Sequence, residues 1–202
     1  MARPKITVVG AGNVGASVAQ YAVERELGDV VLVDVDEARL SAATERIGDE
    51  RCEGVRCDVT DEGDVRDAFL HAAERFGGVD IVVVNAGVAR VGALADLELE
   101  DFEAAVDVNL KGAFLTLREA LFQLRRQATG GNIVLISTKN VFAPRPDFTP
   151  YHASKAGAHQ LGIGRLQPRL RDQQHGEALA GRARVGVADL GALEILDRLD
   201  RR

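Results

Sequence analysis

The sequence predicts an α/β fold built on a doubly wound parallel sheet in a single domain. Three observations predict it. Short runs rich in Val and Ile, of the kind buried on both faces of a sheet, recur along the chain. Segments of helical periodicity separate them. A glycine-rich turn, GAGNVG, lies between the first run and the first helical segment.

The elements follow in order. KITVVG reads as a first strand and VVLVDV as a second. GVRCDV is a third, DIVVVNAG a fourth and NIVLIST a fifth. VGASVAQYAVEREL is the first helix. DEARLSAATERI is the second, with Asp36 as its N-cap. DEGDVRDAFLHAAERFG is the third: Val65, Phe69, Ala72, Ala73 and Phe76 repeat at three and four, and Gly77 and Gly78 stop it. DFEAAVDVNLKGAFLTLREALFQLRRQ reads as one long helical stretch ended by Gly130 and Gly131. Thr149 is the expected N-cap of the next helix, with Pro150 in its first position and Tyr151 in its first turn. With right-handed crossovers this alternation gives a Rossmann-type sheet.

The 202 residues suit one domain with enough buried surface for its own core. Residues 1–166 read as the dinucleotide-binding and catalytic domain. Residues 167–202 read as an atypical C-terminal tail, charged, weakly periodic and carrying Pro168 where a helix should run. Within it ARVGVADLG suggests a sixth strand near 183–188.

A net charge of -6 argues against a nucleic-acid surface, which needs a basic face. No stretch is long and apolar enough to span a bilayer. Cys52 and Cys57 match no zinc spacing and have no His pair beside them, so no metal is expected. Cys57 reads as a small core residue and Cys52 as a loop thiol, in a reducing, cytoplasmic setting. His71, His152, His159 and His175 read as surface or packing residues.

GAGNVG has the context a dinucleotide fingerprint needs. Gly10 permits the tight turn, Gly12 lets backbone approach a pyrophosphate, and Gly15 allows close helix–strand packing. Asn13 and Val14 open the helix whose N-terminus receives the negative charge. Asp34, at the end of the second strand, would accept from the adenosine ribose hydroxyls and repel a 2′-phosphate. NAD is therefore expected over NADP, with Arg39 the residue that would greet a 2′-phosphate. Asp58, followed by Val59, would accept from the adenine amino group, or else serve as an N-cap or a solvated loop acid. Asn85, Ala86 and Gly87 end the fourth strand, where small residues let backbone lie beside the cofactor ribose.

Tyr151 and Lys155 stand four residues apart, one helical turn, so a phenol and an ammonium share a helix face. The ammonium favours the phenolate, which tunes a Tyr for proton transfer to an alcohol or carbonyl oxygen. The other Lys are only Lys5, Lys111 and Lys139. Asn109 sits in a helical pattern that suits it poorly, where it would kink the helix and hold a water. Ser137 and Thr138 end the fifth strand, where a hydroxyl would orient the substrate oxygen. Adjacent strand residues point oppositely, so only one of them faces the substrate.

Taken together, CDVTDEGDVRDAF, DIVVVNAG, DVNLKGAFL, NIVLIST and YHASKAGAHQL resemble the short-chain dehydrogenase/reductase family over roughly Asp58 to Leu166. The resemblance implies a catalytic tetrad of Asn109, a hydroxyl on the fifth strand, Tyr151 and Lys155. It implies that Tyr151 is the acid/base, that Lys155 also binds the nicotinamide ribose, and that Asn109 holds a water in a proton relay. By the family's spacing Thr138 is the preferred hydroxyl and Ser137 the fallback. A dimer or tetramer through the helices carrying Asn109 and Tyr151 is implied too. The first thirty or so residues depart from the family's glycine pattern and resemble the start of malate dehydrogenases, which also bind NAD through this unit. RVGVADLG is a remnant of the family's usual next segment, so much of the substrate pocket is expected to be missing or supplied differently. STKNVFAP and YxASKA resemble the dehydrogenase half of rhamnulose-phosphate aldolase/dehydrogenases, which points to a sugar-derived hydroxyaldehyde or polyol.

The expected function is NAD-dependent interconversion of a secondary alcohol and its carbonyl. The rival is a NAD(H)-binding module without turnover. A malate-type enzyme needs a His base paired with an Asp, plus Arg clamps, and no His here has a matching context.

Overall fold

The computed structural model describes residues 3–163 and 183–189. Six parallel strands form one sheet in the order β3-β2-β1-β4-β5-β6. They are β1 (Lys5–Val9), β2 (Asp29–Asp34), β3 (Cys52–Arg56), β4 (Ile81–Val84), β5 (Gly131–Ser137) and β6 (Ala183–Asp189). The order reverses between β1 and β4, which opens a crevice at their carboxyl ends. β6 pairs with β5 along its length, from Gly131 opposite Ala183 to Ser137 opposite Asp189. The expected boundary at residue 166, Pro168 and His175 lie outside the described residues.

The Val/Ile runs are two-faced, as strands covered by helices on both sides must be. Val8, Leu32, Val83 and Ile136 pack with helix α1 (Asn13–Glu24) and helix α2 (Glu37–Ile47). Val9, Val33, Val84 and Leu135 pack on the other side with helix α3 (Glu62–Phe76), helix α5 (Gly112–Gln127) and Ala158 of helix α6 (Thr149–Ile163). One side chain in two goes to each face, so a one-residue slip would exchange the two cores.

The helix ends follow local chemistry. The Asp36 carboxylate accepts from the Arg39 backbone N–H at 3.0 Å, and α2 stops at Gly48 in the left-handed region. Asp61 caps α3 in the same way, and Gly77 ends it with φ +79°. The stretch 101–127, expected as one long helical stretch, is helical throughout, with a change of winding inside it. Helix α4 (Leu99–Val106) passes through a π-helical turn, Asp107–Lys111, into α5. The Gly112 N–H reaches back five residues to the Asp107 carbonyl, which inserts one residue into the helical register. α5 ends at Gln127 and Ala128, before the expected Gly130-Gly131 stop, and Gly131 already belongs to β5. The reason is the Gln127 amide, which bonds both the N–H and the carbonyl of Val79 at 2.8 Å and pins the helix end to the start of β4. Thr149 is the first residue of α6 and not its cap: the His152 N–H already bonds the Phe148 carbonyl.

Cys52 is buried as the first residue of β3 and is not a loop thiol. Burial pushes its thiol up to about 11 and that of Cys57 up to about 12, so neither is a nucleophile at neutral pH. Among the described residues no helix is long and apolar enough to cross a membrane, and no three His, Cys, Asp or Glu gather as metal ligands would.

Candidate functional site

A cleft of about 300 Å³ opens at the crevice between β1 and β4. Gly10, Gly12, Asn13 and Val14 line it from the first turn, Asp34 from the end of β2, and Asp58 and Val59 from beyond β3. Asn85, Ala86 and Gly87 line it from the end of β4. Gly15 does not reach the cleft surface. A Cβ there would overlap the Gly10 carbonyl oxygen, so Gly15 serves the close approach of α1 to the turn. Gly10 has φ +105°, and a Cβ would stand 2.6 Å from the Ala86 nitrogen. The Asn85 side chain donates to the Gly10 carbonyl at 3.0 Å and ties the two turns together.

Around Gly12 a Cβ would meet nothing within 4 Å, so this backbone faces open space. Gly12 is also the N-cap of α1, with no side-chain cap, and no acid stands in the first turn. The helix therefore presents unpaired N–H groups and the positive end of its dipole to the cleft, which suits a pyrophosphate. Asp34 is 8 % exposed. One of its oxygens accepts from the Ala11 N–H at 2.6 Å; the other accepts from the Asp36 N–H at 3.0 Å and faces Arg39 Nη1 at 3.5 Å. The remaining lone pairs stay available to a ribose hydroxyl. One Asp58 oxygen accepts from both the N–H and the hydroxyl of Thr60, and Asp61, not Asp58, caps α3. These residues fit a dinucleotide.

At the far end of the cleft a polar knot forms. Asn109, 1 % exposed, lies in the π-helical turn. Its Oδ1 accepts from the Val88 N–H at 2.7 Å, and its Nδ2 donates to the Val88 carbonyl and to Ser154 Oγ, both at 2.9 Å. The extra residue of the π turn thus delivers a buried amide to the loop after β4 and to α6 at once. Asn109→Leu would leave these groups without partners and is expected to destabilise the protein by about 2–5 kcal/mol. Urea unfolding measures it; a loss under about 1 kcal/mol would mean the knot is not a structural keystone.

Lys155, beside Ser154 on α6, is 6 % exposed, and its Nζ donates to the Ile136 carbonyl at 3.2 Å. Burial lowers its pKa to about 8. A Cβ on Gly87 would stand 3.1 Å from Asn109 Oδ1 and 3.2 Å from Lys155 Nζ. Both head groups therefore converge on the glycine that closes the cleft. Tyr151 is half-buried, one turn before Lys155, its ring edge-on to Phe148 at 6.5 Å. His152 points elsewhere and stacks on Phe148 at 5.9 Å.

The two strand-end hydroxyls part company, as strand alternation requires. Ser137 turns toward α6, where its Oγ is hydrogen-bonded to His159 Nδ1 at 2.9 Å. Thr138 Oγ1 accepts from the Asn140 N–H at 3.2 Å and caps a short 3-10 turn, Lys139–Val141. The cleft also takes in Val33, Val35, Val88 and Val108, which the sequence did not single out, and Cys57, which reads there only as a core residue. Apolar residues next to a polar motif carry no signal of their own; only adjacency to Asp34, Asp58, Gly87 and Asn109 could have flagged them.

A family model described as short chain dehydrogenase matches residues 4–164. The chain belongs to this family. The chain is 33% identical over 165 residues to the mitochondrial (-)-isopiperitenol/(-)-carveol dehydrogenase of Mentha piperita, covering 80% of this chain and 62% of that protein. The structure of 3-ketoacyl-(acyl-carrier-protein) reductase from Brucella melitensis, complexed with NADH, superposes with a TM-score of 0.74 and 26% identity over 80% of this chain and 68% of that one. A variant of actinorhodin polyketide ketoreductase solved with NADPH gives a TM-score of 0.73 and 26% identity over 80% and 64%. The family is one of oxidoreductases, with NADH or NADPH in the two solved neighbours, and the chain spans about three fifths of the curated relative's length.

Proposed function

We propose that this short-chain dehydrogenase interconverts a secondary alcohol and its carbonyl with NAD. The observation that carries the reading is the convergence of Asn109 Oδ1 and Lys155 Nζ on Gly87 at the end of the dinucleotide cleft, with Tyr151 one turn from Lys155. When bound, the nicotinamide accepts or returns the hydride. Tyr151 takes the hydroxyl proton of the alcohol, or returns it to the carbonyl oxygen. Thr138 orients that oxygen, since Ser137 is engaged with His159. Lys155 holds the nicotinamide ribose and favours the phenolate, and Asn109 places a water behind it. An assay with NAD and a panel including carveol, sorbitol 6-phosphate and simple polyols tests the reading. NADH binding without oxidation of any alcohol would leave the binding-module alternative standing.

The preference for NAD rests on Asp34, whose carboxylate would face a 2′-phosphate with like charge. Asp34→Asn keeps an acceptor for the Ala11 N–H but removes the charge. The NADPH-to-NADH ratio of Kd is expected to fall about tenfold or more, a difference of about 1.4 kcal/mol. Fluorescence titration measures it, and an unchanged ratio would shift the assignment toward Arg39.

The dimer or tetramer is proposed to form through the helices carrying Asn109 and Tyr151, that is α4, α5 and α6, with Phe102, Phe114 and Phe122 as exposed apolar rings on the first two. Sedimentation is expected to give at least a dimer; a monomer at micromolar concentration contradicts this.

A further inference from the structure

Tyr151, Lys155 and His159 recur at four-residue intervals along α6 and share a face of it. The first two belong to the proposed chemistry; the third is left over. His159 is 8 % exposed and Ser137 7 %, and their hydrogen bond lies where the sheet otherwise packs aliphatic side chains against helices. One residue earlier on β5, Ile136 accepts from Lys155. α6 therefore grips two consecutive residues of the strand end, one by backbone and one by side chain. Past Thr138 the chain makes its 3-10 turn and comes back, and Phe142 lies edge-on against the same imidazole, 5.2 Å between centroids at 88°. His159 thus touches both ends of the segment that carries Thr138.

We propose that His159 is a positioning residue of this site: through Ser137 and Phe142 it fixes the strand end and so sets where the Thr138 hydroxyl stands relative to Tyr151. The proposal rests on the reading that Thr138 and Tyr151 handle the substrate oxygen. A hydrogen bond between two buried side chains adds little net stability, so an aliphatic pair would serve the core as well. What the polar pair adds is direction: ring nitrogen and hydroxyl meet in one orientation, whichever of them donates. A displacement of about 1 Å at a reacting group can lower a rate about 100-fold. The residues lining the dinucleotide cleft come from elsewhere, the turn after β1, the start of α1, the end of β2 and the turn after β4 among them, so nucleotide binding there should change little.

The test uses the full chain with His159→Leu, His159→Asn, Ser137→Ala and the double variant H159L/S137A. Asn keeps an acceptor and a donor near the place of Nδ1. Expected are kcat losses of about 10- to 100-fold for His159→Leu and for Ser137→Ala, and no further loss in the double variant. Recovery to within about threefold by His159→Asn is expected, with NADH Kd held within about twofold throughout. Amide hydrogen exchange supplies a readout free of turnover: His159→Leu should speed exchange over residues 137–142 and leave β1, β2 and α1 unmoved, and His159→Asn should restore protection. Wild-type kcat in His159→Leu, additive losses, or unchanged exchange over 137–142 would each overturn the proposal. The underlying reading fails differently, by a Tyr151→Phe variant as active as wild type or a wild type that oxidises no alcohol; exchange over 137–142 still decides the positional claim in that case.

Discussion

Tyr151→Phe is expected to lower kcat about 10²- to 10⁴-fold while NADH still binds with nearly wild-type affinity. The size follows from removing a positioned general acid/base. The selectivity follows from the geometry. The dinucleotide cleft is built from the glycine turn, β2 and the turn after β4, and the phenol ring is not part of its lining. Phe keeps the edge contact with Phe148 and the contact with His152, so the fold should hold. Steady-state kinetics with NAD and an active alcohol, beside NADH titration, separate the two effects. Equal rates for variant and wild type would reject Tyr151 as the proton carrier.

Lys155→Met is expected to do two opposite things: abolish turnover and stabilise the free protein. The ammonium is buried, and its pKa of about 8 lies below the ordinary 10.5 because burial disfavours the charge. A shift of that size corresponds to a penalty on the order of 3 kcal/mol. Between pH 8 and 10.5 the unfolded chain binds more protons than the folded one, so stability rises with pH across that window. Below about pH 8 both states carry the proton and the penalty is fully present. Lys155→Met should therefore gain about 1–3 kcal/mol at pH 7, after the lost bond to the Ile136 carbonyl is set against it. The gain should vanish by about pH 10.5, the ordinary lysine value. Urea unfolding at several pH values reads it. A variant less stable than wild type at pH 7 would mean that the ammonium is held by compensating contacts.

Much of the fold is legible in the sequence. Two-faced Val/Ile runs can be covered only by helices on both sides, so the sheet followed from composition and spacing. Asp36 announced a helix start because a short carboxylate before a periodic segment has a free N–H to meet, whereas Asp61, the cap of α3, was not told apart from the acids around it. The glycine turn and Asp34 were readable because few other roles need them together. The π turn was not, because an extra residue shifts hydrogen bonds without changing which types alternate. Only the discomfort of Asn109 in a helix hinted at it. The early end of α5 hid in Gln127, whose partner Val79 is 48 residues away. His159 read as a packing residue for the same reason: its partner Ser137 lies on a strand 22 residues earlier, and no local pattern joins them. Alternation showed that Ser137 and Thr138 must diverge, but which of them faces α6 depends on how the helix docks.

The most direct measurement is a crystal structure of the full chain with NADH. The pyrophosphate is expected at the N-terminus of α1, the adenosine ribose at Asp34, and the nicotinamide beyond Gly87. The phenol of Tyr151 and the hydroxyl of Thr138 should both reach about 3–3.5 Å from a single point over its reactive carbon. A nucleotide bound elsewhere, or a phenol directed away from that point, would contradict this arrangement.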